Sequence, residues 1–549
     1  MFNLYHIAGN SLKYGELALS VAENNISNAN NTQYHREQLI NTAMEGKNVA
    51  KGFIGNGIEI TNISRIYDEA SNEKIRHTNS ALYALYAKSN KLKNLDNFFS
   101  NNIENFSKQL DNVFSSLESI AQQPDNNIYR TNIVLEFESL VNQFNNIGNQ
   151  LNKIQSNTSE EIYSVINTIN NLSSELKNIN YLIANSNHNQ VSLNLLDKRD
   201  SLLEELSKKI GIIVHLNEKG STHITLENGF TLLDNTQSYP LIYEKDNNQN
   251  IIISYLNDAK TQKEKVQINF NTISSGEIGG LISFYNYNIP ILKEKINQNI
   301  FYLSQEFNKI NREGYDLNRN KGKDIFSYQQ LNSVQSKFNT GNAKISNLDI
   351  KDSNISALRY NLLYQSDHWV IFKLVNGKET KVNYETDQKN LKNEILFDNI
   401  SVHLDGIPNN GDQFQISSLM NISDSIKLNL NDGNLLSASD NNLSYNNNVN
   451  ALKLLEIQNI KLFNNSTFTE NYADFMSYIG QITKKIQNVK DSQEKINNQL
   501  HLEHENKIGI NLQEEYIYIE LYRQYYYANI QLIKIASSLF ESLLGIVSK

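Results

Sequence analysis

The chain has 549 residues, with 50 lysines and arginines against 59 aspartates and glutamates, and it contains no cysteine. This length predicts several domains rather than one hydrophobic core. The lack of cysteine excludes disulfides, thiolate metal sites and a cysteine nucleophile, and the net charge of −9 argues against binding along a phosphate backbone. The 88 asparagines are interspersed with regular apolar positions, which favours solvated positions over a prion-like tract.

The first predicted element is an amphipathic helix of about 25 residues, because apolar and small residues recur there every three or four positions. Its small residues would let another helix approach closely, and its thin stripe suggests that it needs a helical partner. The segment lacks the basic start and apolar stretch of a cleaved secretory signal. The stripe residues that we assign to an assembly contact are Leu4, Ala8, Leu12, Gly15, Ala18, Leu19, Ala22 and Ile26.

An extended segment follows the helix, and the two together occupy residues 1–67. Gly52, Gly55 and Gly57 interrupt this segment and predict loops with short strands.

The pattern of residues 68–210 is typical of a long helical rod. Its three apolar stripes, at 92–120, 133–154 and 162–183, predict an elongated antiparallel bundle.

The apolar period changes to two at Ile212, which predicts a first β-rich segment over 211–275. The rod then returns as a helix over 276–326, which we expect to restart after Pro290. A second β-rich inserted domain is predicted over 327–440, followed by an asparagine-rich linker and returning helices over 441–514. Asn228-Gly229 and Asn376-Gly377 are type I′ hairpin signals in the two β-rich regions.

The last predicted element, over 515–549, is a helix whose apolar stripe we assign to assembly. Packing of this stripe into the chain's own core is the ordinary alternative. The most apolar long window, 525–547, is interrupted by Gln531, Lys534 and Glu541, so it predicts a packed amphipathic helix rather than a bilayer span. The stripe consists of Leu521, Tyr525, Ala528, Leu532, Ile535 and Leu539.

This layout predicts an α+β multidomain fold. We expect an elongated α-helical rod or bundle that contains both termini, with two β-rich inserted domains projecting from it. Chain continuity favours this arrangement because the helical pattern resumes after each β-rich region.

No catalytic constellation is found in the sequence. His501 and His504 are one helical turn apart and could share a zinc ion, but a catalytic site needs a third ligand, so we interpret them as part of a solvated helix face. Gly276, Gly279 and Gly280 lack the spacing of a phosphate-binding loop and indicate a turn that leads into a helix. We therefore predict no enzymatic activity, no catalytic residues, no cofactor and no metal.

Four stretches of the chain carry family motifs in a consistent order. They are NNISNANNTQYHR at 24–36, LLDKRD at 195–200, a stretch from Gly276 to Phe326, and GINLQEE at 509–515. These stretches resemble the hook-associated protein 1 family of bacterial flagella, the hook–filament junction proteins. The first stretch departs from the usual pattern, since Asn31-Thr32-Gln33 stands where the family has Thr-Pro-Gly. The positions that match the motifs are Asn25, Ile26, Asn28, Tyr34, Arg36, Asp197, Arg199, Asp200, Asn511, Leu512, Glu514 and Glu515.

The resemblance implies a structural adaptor that connects hook to filament and self-assembles through paired N- and C-terminal helices. Residues 1–67 would then belong to an inner assembly domain. The implied partners are the hook protein, the next hook-associated protein on the filament side, copies of the chain itself in a ring, and an export chaperone. The resemblance implies an extracellular location at the hook–filament junction, export by the flagellar type III pathway without a cleaved signal, and neither nucleic acid nor a membrane span.

Three other classes of protein remain as alternatives to a hook–filament junction protein, and each predicts a different observation. A hook protein or a distal rod protein would share the terminal helices but lack the three stripes and the LLDKRD run. An extracellular coiled-coil adhesin would form trimers and would not lie at the hook tip. A zinc hydrolase using His501 and His504 would contain stoichiometric zinc.

Overall fold

The computed structural model describes residues 2–31, 33–49, 52–186, 191–217, 220–245, 251–256, 265–268, 272–329, 333–336, 338–351, 355–375, 378–386, 393–444, 446–461 and 465–547. The helices are α1 (Phe2–Ser27), α2 (Glu69–Gln122), α3 (Asn127–Asn185), α4 (Leu193–Lys209), α5 (Gly276–Ser283), α6 (Ile289–Glu313), α7 (Ile422–Ser425), α8 (Val449–Glu456), α9 (Phe468–Ile508) and α10 (Leu512–Val547). The predicted α+β multidomain class, with long helices at both ends and several antiparallel sheets, is confirmed.

The strands lie in three regions of the chain. The first contains β1 (Glu37–Ala43), β2 (Lys47–Val49), β3 (Gly52–Ile54) and β4 (Ile58–Arg65). The second contains β5 (Ile212–Leu216), β6 (Thr222–Leu226), β7 (Thr231–Asp234), β8 (Gln237–Ser238), β9 (Leu241–Lys245), β10 (Ile251–Leu256) and β11 (Lys265–Ile268). The third contains β12 (Phe326–Ser327), β13 (Ser333–Gln335), β14 (Lys344–Ile350), β15 (Arg359–Gln365), β16 (His368–Val375), β17 (Lys378–Val382), β18 (Glu385–Thr386), β19 (Asn393–Phe397), β20 (Ile400–Asp405), β21 (Gln413–Ile416) and β22 (Lys427–Leu428).

Each region forms its own antiparallel sheets. In the first, β1 pairs with β4 and β2 with β3. In the second, a four-stranded sheet has the order β5-β6-β7-β8 and a three-stranded sheet the order β11-β10-β9. In the third, the larger sheets have the orders β13-β21-β15-β16-β17 and β14-β20-β19-β18, and β12 pairs with β22.

We call α2, α3, α4, α9 and the helical segment α5–α6 the rod. At 1.5 Å per residue, the 59 residues of α3 span about 90 Å, which accounts for the elongated form. Side chains cap the N-termini of two of its long helices. At the start of α3, Asn126 Oδ1 accepts from the Ile128 amide at 2.9 Å, and at the start of α9, Thr467 and Glu470 form a reciprocal capping box. The rod buries two apolar cores, one shared with each β-rich region that follows α4.

The stripes at 133–154 and 162–183 lie on one helix, α3, and not on two helices separated by a polar gap. The gap contains Thr158 and Ser159, which are both buried. The Thr158 hydroxyl donates to the Ile154 carbonyl at 2.7 Å, so it is satisfied inside the helix. With no proline or helix-breaking turn at this point, the polar residues continue the helix rather than ending it.

The returning helix of the rod begins at Gly276, not after Pro290. Between α5 and α6, residues Phe284–Asn288 form a wider helical turn that keeps the helix continuous. Proline lacks an amide hydrogen and its ring crowds the preceding turn, so a locally widened turn accommodates it. The prediction of a helix start at this proline was therefore wrong.

Two tight hairpins in the third region do not come from Asn-Gly pairs. Ser366-Asp367 and Asp398-Asn399 have positive φ at both positions and connect β15 to β16 and β19 to β20. In the hairpin between β6 and β7, only Gly229 has positive φ, so the turn is not type I′ as predicted. Asn376-Gly377 lies outside the described residues.

Candidate assembly site

The two terminal helices of the chain pack against each other as an antiparallel pair. Near one end the hydroxyls of Tyr5 and Ser537 lie 2.5 Å apart. Near the other end Asn25 Nδ2 donates to Glu515 Oε2 at 3.2 Å. Residues 532 and 490 positions apart in sequence therefore meet, and α1 and α10 form one unit.

The small residues of α1 are used inside this pair. Ala8, Ala18 and Ala22 are buried. A Cβ added to Gly15 would lie 3.4 Å from Tyr525 Cδ1, so the helices approach closely there. The remaining assigned residues of α1, Leu4, Leu12, Leu19 and Ile26, are half-buried. The close helical approach that the stripe predicts is made by the chain's own C-terminal helix.

Most of the apolar stripe of α10 lies outside the contact with α1. The α1-facing side contains Tyr522 and Tyr525, which meet Tyr14 edge-on, and the buried Asn529 and Ala536. Leu521 is 54% exposed, Leu532 39%, Ile535 53% and Leu539 49%, so the ordinary alternative of a core position does not hold for these four. We call the following exposed set the outward apolar face of α10: Leu521, Ala528, Leu532, Ile535, Leu539, Leu543 and Ile546.

The N- and C-terminal motifs meet where α1 ends and α10 begins. Arg36 Nε lies 2.6 Å from Glu515 Oε1, and Arg36 Nη1 donates to Glu514 Oε2 at 3.1 Å. The Tyr34 hydroxyl donates to Asn25 Oδ1 at 2.8 Å, and that oxygen also accepts from the Glu37 amide at 2.9 Å. Burial and the nearby Glu37 and Asp197 carboxylates raise the pKa of Tyr34 above its usual range, which keeps the phenol a donor.

The other motif positions at these helix ends have local structural roles. Asn511 Oδ1 accepts from the Gln513 and Glu514 amides at 3.0 and 3.4 Å, so it caps α10. Asn28 Nδ2 donates to the Asn24 carbonyl at 3.0 Å and closes the end of α1. Leu512 is exposed, Ile26 is half-buried, and Thr32 of the turn lies outside the described residues.

The LLDKRD motif, at the start of α4, holds the same extended segment from the rod side. Asp197 Oδ1 accepts from His35 Nδ1 at 2.8 Å and from Arg65 Nη1 at 2.6 Å. Arg65 Nη2 lies 2.8 Å from Asp200 Oδ2, and Arg199 donates to Asp200 Oδ1 at 2.6 and 2.9 Å. Three of the four motifs therefore converge where the terminal helices meet the rod.

The electrostatics of Asp197 favour its ionised form. Burial acts to raise its pKa, but hydrogen bonds from His35 and Arg65 outweigh burial, and the pKa lies below its usual range. Because the folded-state pKa is lower than the unfolded one, its contribution to stability is present above the unfolded pKa. The contribution is lost as pH falls through the folded pKa.

Sequence patterns did not identify His35 and Arg65 as partners in this cluster. His35 lies inside the first motif but has no periodic signal, and Arg65 ends strand β4, 132 residues from Asp197. No motif adjoins Arg65 in the sequence, so no sequence signal marks its pairing with Asp197. Side-chain pairs so distant in sequence leave no trace in local periodicity.

His504, one of the two histidines considered as zinc ligands, lies beside the start of the rod. His504 Nδ1 and Ser71 Oγ are 2.9 Å apart, and burial followed by repulsion from His35 and His501 lowers the pKa of His504. Among the residues described, no group of three or more His, Cys, Asp or Glu side chains is placed to hold a metal ion. No helix in the described ranges is long and apolar enough to cross a membrane.

Comparisons of this chain with family models, with known sequences and with solved structures all find flagellar hook-associated proteins. Residues 92–326 match the family described as the flagellar hook-associated protein FlgK helical domain. Flagellar hook-associated protein 1 of Salmonella typhimurium is 26% identical, and that of Escherichia coli 25%, each over the whole of both chains. A solved structure of the flagellar hook junction protein FlgK from Burkholderia pseudomallei shares the fold with a TM-score of 0.72 and 16% identity, over 79% of this chain and 99% of that one.

This multidomain chain is therefore similar, in sequence and in fold, to flagellar hook-associated proteins. Within that group, the curated relatives named flagellar hook-associated protein 1 are similar to this chain along its whole length.

Proposed function

We propose that this protein is the non-enzymatic structural adaptor that connects the flagellar hook to the filament. The observation that carries the proposal is the match along the full length of relatives named flagellar hook-associated protein 1, in Salmonella typhimurium and Escherichia coli. The fold supports it, because long paired helices and inserted sheets suit a load-bearing connector better than an enclosed reaction site.

Self-assembly would use the outward apolar face of α10. This face runs along one side of the helix from Leu521 to Ile546, about a quarter turn from the side that packs on α1. A contiguous apolar surface of this kind on a water-exposed helix marks an interaction site. Copies of the chain arranged in a ring would bury it against one another, with the α1–α10 pair as the repeating unit.

The partners follow from this position in the flagellum. The hook protein would contact one side of the ring, and the next hook-associated protein on the filament side would contact the other. An export chaperone would cover the apolar face before assembly, and the chain would leave the cell by the flagellar type III pathway. The protein would then lie outside the cell, and its net charge of −9 does not suit nucleic acid as a partner.

Replacing Leu532 with aspartate tests the role of the outward apolar face. Because Leu532 is 39% exposed in the isolated chain, Leu532→Asp should leave the fold intact. Burying an uncompensated charge in the assembled ring would cost about 3–5 kcal/mol per copy, so the variant should fail to join hooks. Incorporation is measured by the amount of variant recovered with hooks isolated from cells that lack the wild-type protein.

The matched control is Gln531→Asp, which adds the same side chain one position away on the polar side of α10. This variant should incorporate as the wild type does. Normal incorporation of Leu532→Asp would show that the face stays exposed in the assembly, and this mode of self-assembly would be rejected.

A further inference from the structure

The terminal helices and the first strands form a body that is only narrowly attached to the rod. We call α1, β1–β4 and α10 the terminal unit. Its chain connections to the rod are residues 66–68, between β4 and α2, and residues 509–511, between α9 and α10. Two short connections on their own leave the angle between the unit and the rod weakly defined, because each can rotate about several backbone bonds.

One side-chain cluster bridges the unit and the rod beside these connections. His35 and Arg65 belong to the terminal unit, and Asp197 and Asp200 to α4 of the rod. Among the described residues, the side-chain hydrogen bonds that cross from the unit to the rod end on Asp197: His35 Nδ1 at 2.8 Å and Arg65 Nη1 at 2.6 Å. The ion pair from Arg65 to Asp200, at 2.8 Å, adds a second point of attachment.

This cluster is buried and well supported, unlike an ordinary surface ion pair. The side chains of Arg65, Asp197 and Asp200 are 6%, 9% and 8% exposed. Buried pairs are weakly screened by salt, and two attachment points on one guanidinium fix its orientation. The cation also lies over the ring of Tyr67, 4.9 Å from its centroid, which restrains Arg65 from the side of the connection.

The rod holds its two carboxylates in place through Arg199. This side chain is 2% exposed, and it donates to Asp200 Oδ1 through two nitrogens and to the Gly220 carbonyl at 2.5 Å. Gly220 has φ of +87°, and a Cβ there would lie 3.3 Å from Arg199 Nη1, so glycine keeps this approach open. Asp200 therefore sits between a fixed arginine of the rod and an arginine of the terminal unit.

We infer that Asp197 and Asp200 are positioning residues that set the angle of the terminal unit on the rod. Removing the charge of Asp197 would leave both bodies folded, since each has its own packing, but would free the unit to swing at residues 66–68 and 509–511. The value of a fixed angle for ring formation rests on the function proposed above. The angle itself is a property of the isolated chain.

The test measures one distance between the two bodies. Because the chain has no cysteine, Glu16→Cys on α1 and Glu205→Cys on α4 give two unique, exposed sites for spin labels. Pulsed electron spin resonance on the full-length chain should give a single narrow distance. With Asp197→Asn, this narrow distance should be lost to a broad distribution while the far-ultraviolet circular dichroism is unchanged.

The matched control is Asp234→Asn, which removes an exposed carboxylate paired with His223 at 3.2 Å on the four-stranded sheet and not with any residue of the cluster. It should keep the narrow distance. If Asp197→Asn loses helical signal, Arg65→Gln removes the cluster from the other side and should broaden the distance in the same way. A narrow, unshifted distance in a folded variant of either kind, or a broad one in the parent chain, would overturn the inference.

These results are separate from those on the hook–filament role. Failure of Leu532→Asp to affect hook incorporation would count against the proposed mode of assembly and leave the distance in the isolated chain untouched. An unchanged distance in Asp197→Asn would count against the positioning role alone.

Discussion

Replacing Gly280 with alanine should destabilise the protein by about 3 kcal/mol, although alanine is the better helix former. Gly280 lies within α5, where that helix crosses α2. A Cβ at this position would lie 2.1 Å from the Ala84 carbonyl oxygen and 2.9 Å from its carbon. These are backbone atoms, so the clash is relieved only by moving one helix away from the other. Lys88 Nζ donates to Ser283 Oγ at 3.0 Å one turn further on, and that contact would be lost as well.

The control for Gly280→Ala is Gly480→Ala, in the middle of α9, where a Cβ would meet nothing within 4 Å. This second change should stabilise the protein by roughly 0.5–1 kcal/mol through helix propensity alone. Urea unfolding followed by circular dichroism measures both. The same glycine-to-alanine change should therefore lower the free energy of unfolding at residue 280 and raise it at residue 480. A stabilising Gly280→Ala would contradict the close crossing of α2 and α5.

Replacing Arg130 with methionine should cost about 3–5 kcal/mol, because it leaves buried acceptors without a donor. Arg130 is 2% exposed and donates to three backbone carbonyls, those of Pro124 at 2.5 Å and of Gly433 and Leu436 at 2.9 Å. It joins the turn between α2 and α3 to the segment after β22. Burial lowers its pKa to about 10, so the guanidinium still carries its proton at neutral pH.

The comparison for Arg130→Met is Arg312→Met, which removes an arginine that is 51% exposed and paired with Asp324. Exposed pairs contribute little, so this change should stay within about 1 kcal/mol. Thermal and urea unfolding would report both variants. Equal, small effects from the two would show that the carbonyls around residue 130 find other donors.

Apolar periodicity predicted the rod well because its helices are regular, so that each apolar stripe lies on one side of a helix and is buried there. Leu92, Leu95 and Phe99 of the first stripe and Ile133 and Phe137 of the second all lie in one core with almost no exposure. Periodicity could not place helix ends where polar residues are satisfied internally. Thr158 donates to a carbonyl of its own helix, so the polar gap that suggested a break lies inside α3.

The stripe of α10 shows a different limit of sequence reasoning. Leu532 and Ile535 mark a genuine apolar face, but periodicity does not say what covers it. The side that packs on α1 instead contains Asn529, which donates to the Tyr525 carbonyl at 2.8 Å, and Glu515, which pairs with Arg36. Polar residues that are satisfied locally or by a distant partner do not count as core residues in a pattern based on hydrophobicity.

The candidate site was predictable in part through its family motifs. The residues assigned to those motifs, such as Arg36, Asp197 and Glu515, meet one another or share neighbours in the structure. Their partners His35 and Arg65 could be found only from the fold, because Arg65 at the end of β4 is separated from Asp197 of α4 by 132 residues of sequence.

The most direct test of the central claim is to locate the protein on isolated hooks. An epitope tag in the exposed 440–444 loop, detected with gold-labelled antibody by electron microscopy, should mark the distal end of each hook, at its boundary with the filament. Label along the whole length of the hook, on the rod of the flagellar basal structure, or only on the cell surface would contradict a junction role.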